Sequence, residues 1–296
     1  MQFGDLEIHV LSDGLVRVDA GGPFGLVPRA LYGPIIEVGP DNDVAMALHC
    51  LLIRSGGKTI LVDTGIGAKL RPEQARSVGL TVDAGHLLPA LDRIGLTAAD
   101  VDIVINTHLH ADHCGGNTFL RDGAVAATFP NATYLVQRLE WAEACHPDER
   151  TRRTYLAENF APLVAQGRMR LLHGETQVTD HVRCVVTPGH TRGHQSVLFS
   201  SGHWSGFFAA DLASYAAHFA RTAWLTAYDV LPLENLRTKQ RWQQWALDQG
   251  SWIFIQHDPL SPVVRLARRE GRLEAQRVEE AEPVIGALPT PRQRRG

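Results

Sequence analysis

The sequence predicts an α/β fold (mixed α+β) in which two β-sheets pack face to face with helices on the outside. Three observations lead to it. Short apolar runs rich in β-branched residues recur, segments with helical spacing separate them, and the second half of the chain has a similar order of predicted elements to the first. Elements in this order favour packed layers of sheet and helix. Because no low-complexity linker divides the halves, we expect one domain over residues 1–280 and a flexible tail over 281–296.

The first half begins with strands. Residues 6–18 alternate between apolar and polar side chains and predict a hairpin with its turn at Asp13-Gly14. An arm rich in glycine and proline follows over residues 20–43, and loops of this length usually have a function when they are ordered. Further elements predicted in this half are strands at 45–54, 59–62, 101–106 and 133–136, a helix at 86–94 and a capped turn at 97–100.

Two predicted helices follow, at 138–145 and 148–165, as a pair inserted over the site, and we expect most of their apolar residues to pack inward. The second half begins after them. An apolar loop at 212–232 precedes a helix at 233–249, which Gly250 ends. The remaining predicted elements are strands at 168–172, 182–187, 195–200, 205–210 and 252–255 and a closing hairpin at 262–278.

The composition is that of an ordinary soluble globular protein. Of 296 residues, 44% are hydrophobic and 21% are charged, which leaves ample material for a core. A net charge of −3 gives no reason to expect a nucleic-acid partner, and no apolar run approaches the length needed to span a membrane. No signal peptide pattern is visible at the start, and the four cysteines are scattered, so we expect a cytoplasmic protein with reduced thiols.

Histidine and aspartate cluster directly after the predicted strand at 101–106. His108, His110, Asp112 and His113 lie within six residues, a density of metal-binding side chains that folding does not require. Further candidates also follow predicted strands, namely Asp63, His190, Asp211 and His257. Because the carboxyl ends of strands can share one crevice, these side chains could converge. Imidazole and carboxylate are zinc ligands, and the spacing suits two metal ions better than one.

The pattern His108-x-His110-x-Asp112-His113, with one motif before it and three after it, resembles the metallo-β-lactamase superfamily of hydrolases. The resemblance covers nearly the whole chain and implies a four-layer αββα sandwich. It also implies two divalent metal ions. Zinc is the expected metal, and iron, manganese and cobalt are the alternatives. By the resemblance, the first ion would be bound by His108, His110 and His190, the second by Asp112, His113 and His257, and both by Asp211. Asp63 would support the ligand loop through hydrogen bonds, and His194 would be structural.

A site of this kind predicts hydrolysis of an ester-like bond. Two divalent ions a few ångströms apart can share a hydroxide that is nucleophilic near neutral pH. Asp112 would be both a ligand and a proton shuttle to the leaving group. Within the superfamily, the 187–194 segment followed by Gln195-Ser196, together with the 20–43 arm, most resembles quorum-quenching lactonases and methyl-parathion-hydrolase-like enzymes.

The resemblance therefore implies a small-molecule substrate, a lipophilic lactone such as an acyl-homoserine lactone. Three alternatives stay open: an organophosphate triester hydrolase, a thioester hydrolase like glyoxalase II, and an iron-dependent redox enzyme. Tyr215 and His218, from the loop after Asp211, are the candidates for contact with the substrate, and the alternative is that both only pack the loop. A homodimer through the 20–43 arm is a further expectation by analogy.

Overall fold

The computed structural model describes residues 1–71, 73, 75 and 80–285, and within these ranges the chain forms two large β-sheets flanked by helices. The strands of the first half are β1 Gln2–Phe3, β2 Leu6–Asp19, β3 Asp43–Ser55, β4 Lys58–Val62, β5 Thr81–Ala84, β6 Ile103–Ile105, β7 Thr118–Arg121, β8 Ala124–Ala127 and β9 Thr133–Gln137. Those of the second half are β10 Met169–Leu172, β11 Thr176–Thr179, β12 Val182–Val186, β13 Gln195–Ser201, β14 Trp204–Phe208, β15 Trp252–Phe254, β16 Val263–Arg269, β17 Arg272–Arg277 and β18 Val284–Ile285.

The helices are short except for the last. They are α1 Gly21–Phe24, α2 Arg29–Tyr32, α3 Leu87–Arg93, α4 Ala111–Cys114, α5 Arg138–Cys145, α6 Ala161–Ala165, α7 Ala216–Ala220 and α8 Pro232–Gln249. Single 3₁₀ turns lie at Ala98–Asp100, Gly115–Asn117, Ala157–Asn159 and Ala210–Leu212. Gly250, in the left-handed conformation, ends α8 as the sequence predicts, and a proline in its first turn marks the start.

The first sheet has the strand order β1-β2-β3-β4-β6-β9-β10, and β5 and β18 also pair with β2. The pairs β4–β6, β6–β9 and β9–β10 are parallel, so the carboxyl ends of β4 and β6 lie at the same edge. The second sheet has the order β11-β12-β13-β14-β15-β16-β17, with β14 and β15 parallel. The loops that carry the candidate metal ligands follow the carboxyl ends of strands in both sheets.

Alternate residues of the central strands face two different layers, because side chains of a strand alternate between the two faces of its sheet. Leu51 and Val197 lie in a core between the sheets, whereas Leu52 packs outward in a cluster with residues of α3. Leu198 faces the other side, in a cluster with Trp242 of α8. The layers are therefore helix, sheet, sheet and helix, and the predicted αββα sandwich is confirmed.

The predicted hairpin at 6–18 is wrong. β2 is one long strand that pairs with β3 from Glu7 to Asp19, with a register shift between Ser12 and Leu15. Gly14 has a φ of +128°, and a Cβ there would come within 2.0 Å of Asp83 O. Because β3 is equally long, the Asp13-Gly14 pair is accommodated as a bulge inside the strand instead of reversing the chain.

The predicted helix at 148–165 is also wrong. The Asp148 carboxylate accepts hydrogen bonds from the backbone N–H groups of Arg150 and Thr151, and the Thr154 hydroxyl donates to Thr151 O. Such local side-chain bonds compete with helix formation. Only the short turn at Ala157–Asn159 and α6 are helical, although Phe160 and its apolar neighbours still pack inward.

The end of the chain differs in part from the predicted tail. β18 pairs in parallel with β2, and residues 286–296 lie outside the described residues. The predicted strands do not include β1, β5, β7, β8, β11 and β18. The single domain over residues 1–280 stays a prediction.

Candidate metal centre

Asp63, at the end of β4, organises the loop that carries four of the predicted ligands. Its Oδ1 accepts a hydrogen bond from Thr107 N (2.8 Å), and its Oδ2 accepts one from the Thr107 hydroxyl (2.7 Å). The same Oδ2 lies 3.0 Å from His113 Nδ1. Asp63 is fully buried and has a φ of +56°, a conformation that non-glycine residues adopt rarely and mainly at constrained sites.

The first group of candidate ligands consists of His108, His110 and His190. One nitrogen from each ring lies within 4.8 Å of the others, and all three side chains are buried. His190 Nε2 is 3.0 Å from His110 Nδ1. We call these three residues the first group.

The second group consists of Asp112, His113 and His257. Asp112 Oδ2 lies 3.7 Å from the Nε2 atoms of both His113 and His257, and these two nitrogens are 3.3 Å apart. Unlike the histidines, Asp112 is partly exposed, with 32% of its side chain accessible. The second group thus has one open side.

Asp211 lies between the two groups. Its Oδ2 is 3.1 Å from His190 Nε2 and 3.3 Å from His113 Nε2, and its Oδ1 is 3.1 Å from His257 Nε2. The backbone N–H of Asp211 donates to His194 Nε2 (3.2 Å), so His194 has a hydrogen-bonding role beside the centre. The carboxylate contacts both groups, as a bridging ligand would.

The hydrogen bonds on the far sides of the rings test whether metal ions fit. His257 Nδ1 lies 2.7 Å from Ala47 O, and a carbonyl oxygen only accepts, so the proton is on Nδ1 and Nε2 carries a lone pair. His113 is oriented in the same way by the Asp63 carboxylate. Two facing lone pairs cannot hydrogen-bond to each other, and buried His108 Nε2 has no hydrogen-bond partner among the described residues. Imidazole nitrogens with free lone pairs that face one another are the ligands that a divalent cation takes, so these side chains fit bound metal ions.

A cavity of about 490 Å³ opens onto both groups. Its floor includes His110, Asp112, His190 and Asp211. The remaining described residues around it are the apolar Val16, Val18, Met46, Ile66, Leu80, Ala111 and Ala227 and the polar Arg150, Thr151, Arg153, Thr154 and Tyr228. The shape suits a small molecule with an apolar part.

Of the three catalytic candidates, the structure places only Asp112 in this cavity. Tyr215 is fully buried, and its hydroxyl donates to Ala45 O at 2.7 Å. His218 is buried between the rings of Phe24, Tyr215 and Trp224. Both residues pack the loop in this arrangement, which is the alternative that the sequence left open.

Comparison with known proteins agrees with the geometry. The sequence pattern of the family described as the metallo-beta-lactamase superfamily matches residues 46–241, which hold the whole ligand set except His257. The chain belongs to the metallo-β-lactamase superfamily. It is a metal-dependent hydrolase, and its two ligand groups support a dinuclear divalent metal site.

Relatives of this superfamily member include proteins named as lactonases. An N-acyl homoserine lactonase from a Bacillus species is 31% identical over an alignment of 231 residues that covers 74% of this chain and 84% of that protein. An N-acyl homoserine lactonase from Bacillus thuringiensis subsp. kurstaki is 27% identical over 230 residues, again 74% and 84% of the two chains.

Solved structures share the fold. A probable metal-dependent hydrolase from Staphylococcus aureus has a TM-score of 0.85 and 28% identity, over 94% of this chain and 99% of that one. AidC, a dizinc quorum-quenching lactonase in complex with a product, has a TM-score of 0.78 and 21% identity, over 94% and 96%.

Burial and charge set the protonation of the centre in this metallo-β-lactamase fold. Burial, reinforced by neighbouring imidazoles, holds the pKa of His108 and His110 well below the usual value, so both are neutral, the form that binds metal. Burial acts to raise the pKa of Asp211, but the positive charge that His190, His257 and His113 carry in their protonated forms outweighs it and holds that pKa well below its usual range. Asp211 is therefore a carboxylate, ready to bind a cation.

The sequence analysis missed three residues at this site. Asp229 and Glu140 are fully buried carboxylates that contact the ligand loops, and Tyr228 lines the cavity. Nothing local distinguishes them, because each is defined by its contact with a distant segment. In the part of the chain that the structure describes, no helix is both long and apolar enough to cross a bilayer.

Proposed function

We propose that this hydrolase opens a lactone or cleaves an ester in a lipophilic small molecule such as an N-acyl homoserine lactone. We expect two divalent ions, with zinc as the preferred metal. The proposed ligands are His108, His110, Asp112, His113, His190, Asp211 and His257. The observation that carries the proposal is the cavity: an apolar wall stands directly beside the ligand groups. An acyl chain could pack there while a carbonyl group reaches the centre.

The chain's own residues supply positioning and proton transfer. Two divalent ions held by these residues would lower the pKa of water enough to give a nucleophile near neutral pH and would polarise a carbonyl oxygen. Asp112 is exposed to the cavity and can carry a proton toward the leaving oxygen of the opened ester. The apolar wall, which includes Val16, Val18 and Met46, excludes water from the acyl group.

Tyr228 is our candidate for contact with the substrate, in place of Tyr215. Burial, together with the carboxylates of Asp112 and Asp211, raises the pKa of Tyr228, so its hydroxyl stays protonated and can donate a hydrogen bond. The hydroxyl lies against Gly22, where a Cβ would come within 1.9 Å, and it makes no hydrogen bond to a described residue. A donor without a partner at the cavity is available to a substrate oxygen.

Relatives support the lactone over the other ester-like substrates. The two N-acyl homoserine lactonases match three quarters of this chain, including the stretch that carries six of the seven proposed ligands. The homodimer through the 20–43 arm stays a prediction; on this arm Leu26 and Leu31 are exposed.

The deciding experiment compares substrates on protein whose metal content has been measured. We expect purified enzyme to contain close to two divalent ions and to open hexanoyl- and decanoyl-homoserine lactone much faster than it cleaves an aryl phosphotriester or a thioester. Faster cleavage of the phosphotriester or of the thioester would contradict the proposed lactone substrate. Bound iron together with oxygen uptake would contradict a hydrolytic reaction. The matched control is Asp248→Ala, at an exposed carboxylate of α8, which should behave as wild type.

A further inference from the structure

Glu140, on α5, is a buried carboxylate that the proposed reaction does not use. Its side chain is fully buried, and no Lys, Arg or His in the described ranges lies within 4.0 Å of its oxygens. A buried carboxylate without a cation is costly unless several hydrogen bonds stabilise it. Its position therefore calls for an explanation in terms of the groups it touches.

Three donors surround the carboxylate. Oε1 accepts hydrogen bonds from Leu109 N (2.9 Å) and the Tyr155 hydroxyl (3.0 Å). Oε2 accepts one from the Thr191 hydroxyl (2.5 Å). The three donors come from three separate segments of the chain, so Glu140 joins these segments at one point.

Each donor is adjacent to a histidine of the first group. Leu109 lies between His108 and His110 in the chain, and Thr191 directly follows His190. The Tyr155 ring packs against His110, with their centroids 4.9 Å apart. By contrast, the histidines of the second group are oriented by Asp63 and by Ala47 O, neither of which contacts Glu140.

We propose that Glu140 is a positioning residue for the first group, holding His108, His110 and His190 in register so that they bind one metal ion together. The inference rests on the proposed assignment of ligands and not on the substrate. Residues that orient metal ligands from behind usually change metal affinity about 10- to 100-fold when they are removed.

Close packing at the same point supports this role. A Cβ at Gly193 would come within 2.2 Å of Glu140 N, so the loop that carries His190 lies directly against the first turn of α5. Glycine allows the approach, and the Glu140–Thr191 hydrogen bond then fixes how the two segments align. Burial raises the pKa of Glu140, which fits a group held by neutral donors instead of by a cation.

Two variants at this position separate the role of hydrogen bonding from that of charge. Glu140→Gln keeps an oxygen for Leu109 N and Tyr155, and its amide can donate to the Thr191 hydroxyl, which is free to accept. Glu140→Ala leaves all three donors without a partner. Glu143→Ala is the matched control, because Glu143 lies one turn later on α5 and pairs with the exposed guanidinium of Arg192.

The readout is zinc affinity, measured on metal-loaded protein by competition with a chelator of known affinity. For Glu140→Ala we expect one of the two zinc equivalents to bind at least about 10-fold more weakly while the other is unchanged. Glu140→Gln should recover most of that loss, and Glu143→Ala should match wild type. The absorption spectrum of cobalt-substituted protein should change for one ion only.

Two results would overturn the proposal: unchanged affinity at both sites in Glu140→Ala, or equal weakening at both sites. Should Glu140→Ala fail to fold, Thr191→Val replaces it, since valine keeps the shape of threonine and removes only the hydroxyl. That variant should weaken one equivalent several-fold, and wild-type affinity would likewise refute the role. Because affinity is measured without substrate, failure of the lactonase proposal would leave this result intact.

Discussion

The buried carboxylate of Asp229 lies directly behind His190, with 3.1 Å between Asp229 Oδ1 and His190 Nδ1. The Thr226 hydroxyl donates to the same oxygen (3.0 Å), and Asn235 Nδ2 donates to the other (3.1 Å). The carboxylate is therefore fixed in place, and it keeps a proton on His190 Nδ1. As a result, the lone pair of His190 Nε2 points toward Asp211 and the other two histidines of the first group.

Asp229→Ala should weaken zinc binding about 10- to 100-fold, because the His190 ring would lose both its orientation and its tautomer. Chelator competition measures the loss, and metal analysis after dialysis should find less than full occupancy. Glu234→Ala is the control, since Glu234 is half-exposed and, among the described residues, forms an ion pair with Arg237 alone. Equal affinity in Asp229→Ala and wild type would contradict this orienting role.

Asp211→Ala should lose metal and nearly all turnover, since the carboxylate contacts His190, His113 and His257 together. Its removal also leaves three imidazoles without the negative charge that compensates bound cations. Elemental analysis and lactone hydrolysis are measured on the same preparation. Full occupancy of both sites in this variant would refute the bridging role.

Tyr228→Phe and Tyr215→Phe form a matched pair that decides which tyrosine meets the substrate. Tyr228→Phe should lower kcat/KM about 10-fold or more with metal content unchanged, because a hydrogen bond to the reacting oxygen is lost. Tyr215→Phe removes the bond to Ala45 O and should cost about 1 kcal/mol of unfolding free energy while leaving kcat/KM unchanged. If Tyr215→Phe lowered kcat/KM and Tyr228→Phe did not, Tyr215 would be the tyrosine that contacts the substrate.

Asp13 predicts a pH dependence of stability that is separate from the metal centre. Burial raises its pKa from the usual 3.8 to about 6, although Gly67 N and Leu87 N donate hydrogen bonds to it. Between these values the folded chain keeps a proton that the unfolded chain has lost, so stability falls as pH rises. The expected loss is about 3 kcal/mol across this range.

Asp13→Asn removes that titration. We expect its free energy of unfolding, relative to wild type, to improve as the pH rises from near 4 to above 6, measured by denaturant titration at several pH values. Metal release on acidification affects both proteins, so the difference between them isolates Asp13. Parallel pH profiles would show that Asp13 keeps its ordinary pKa.

The misassigned elements show where a local pattern is ambiguous. Asp13-Gly14 is a good turn signal, yet β3 offers a pairing partner along the whole of β2, and the pair became a bulge. Tyr215 is a candidate for substrate contact by the resemblance, because it follows Asp211 closely in the chain. The loop folds so that Tyr215 turns inward toward Ala45, and Tyr228, later in the same loop, lies at the cavity.

The sequence by itself determined the layers and the candidate ligands. Alternating apolar residues predict strands wherever they occur, and a cluster such as His108 to His113 at a strand end has few explanations besides metal binding. Both signals are local, so neither needs knowledge of what packs against them. The family resemblance followed from the order of these local motifs.

Only the tertiary structure decided what orients the candidate ligands and which side chains line the cavity beside them. Glu140 contacts Thr191 across 51 positions, and Asp229 contacts His190 across 39. A buried carboxylate is indistinguishable in sequence from a solvated one, because its role comes from donors that other segments bring to it. The stretch from His108 to His113 provides candidate ligands, and the packing of distant loops brings them together with the others.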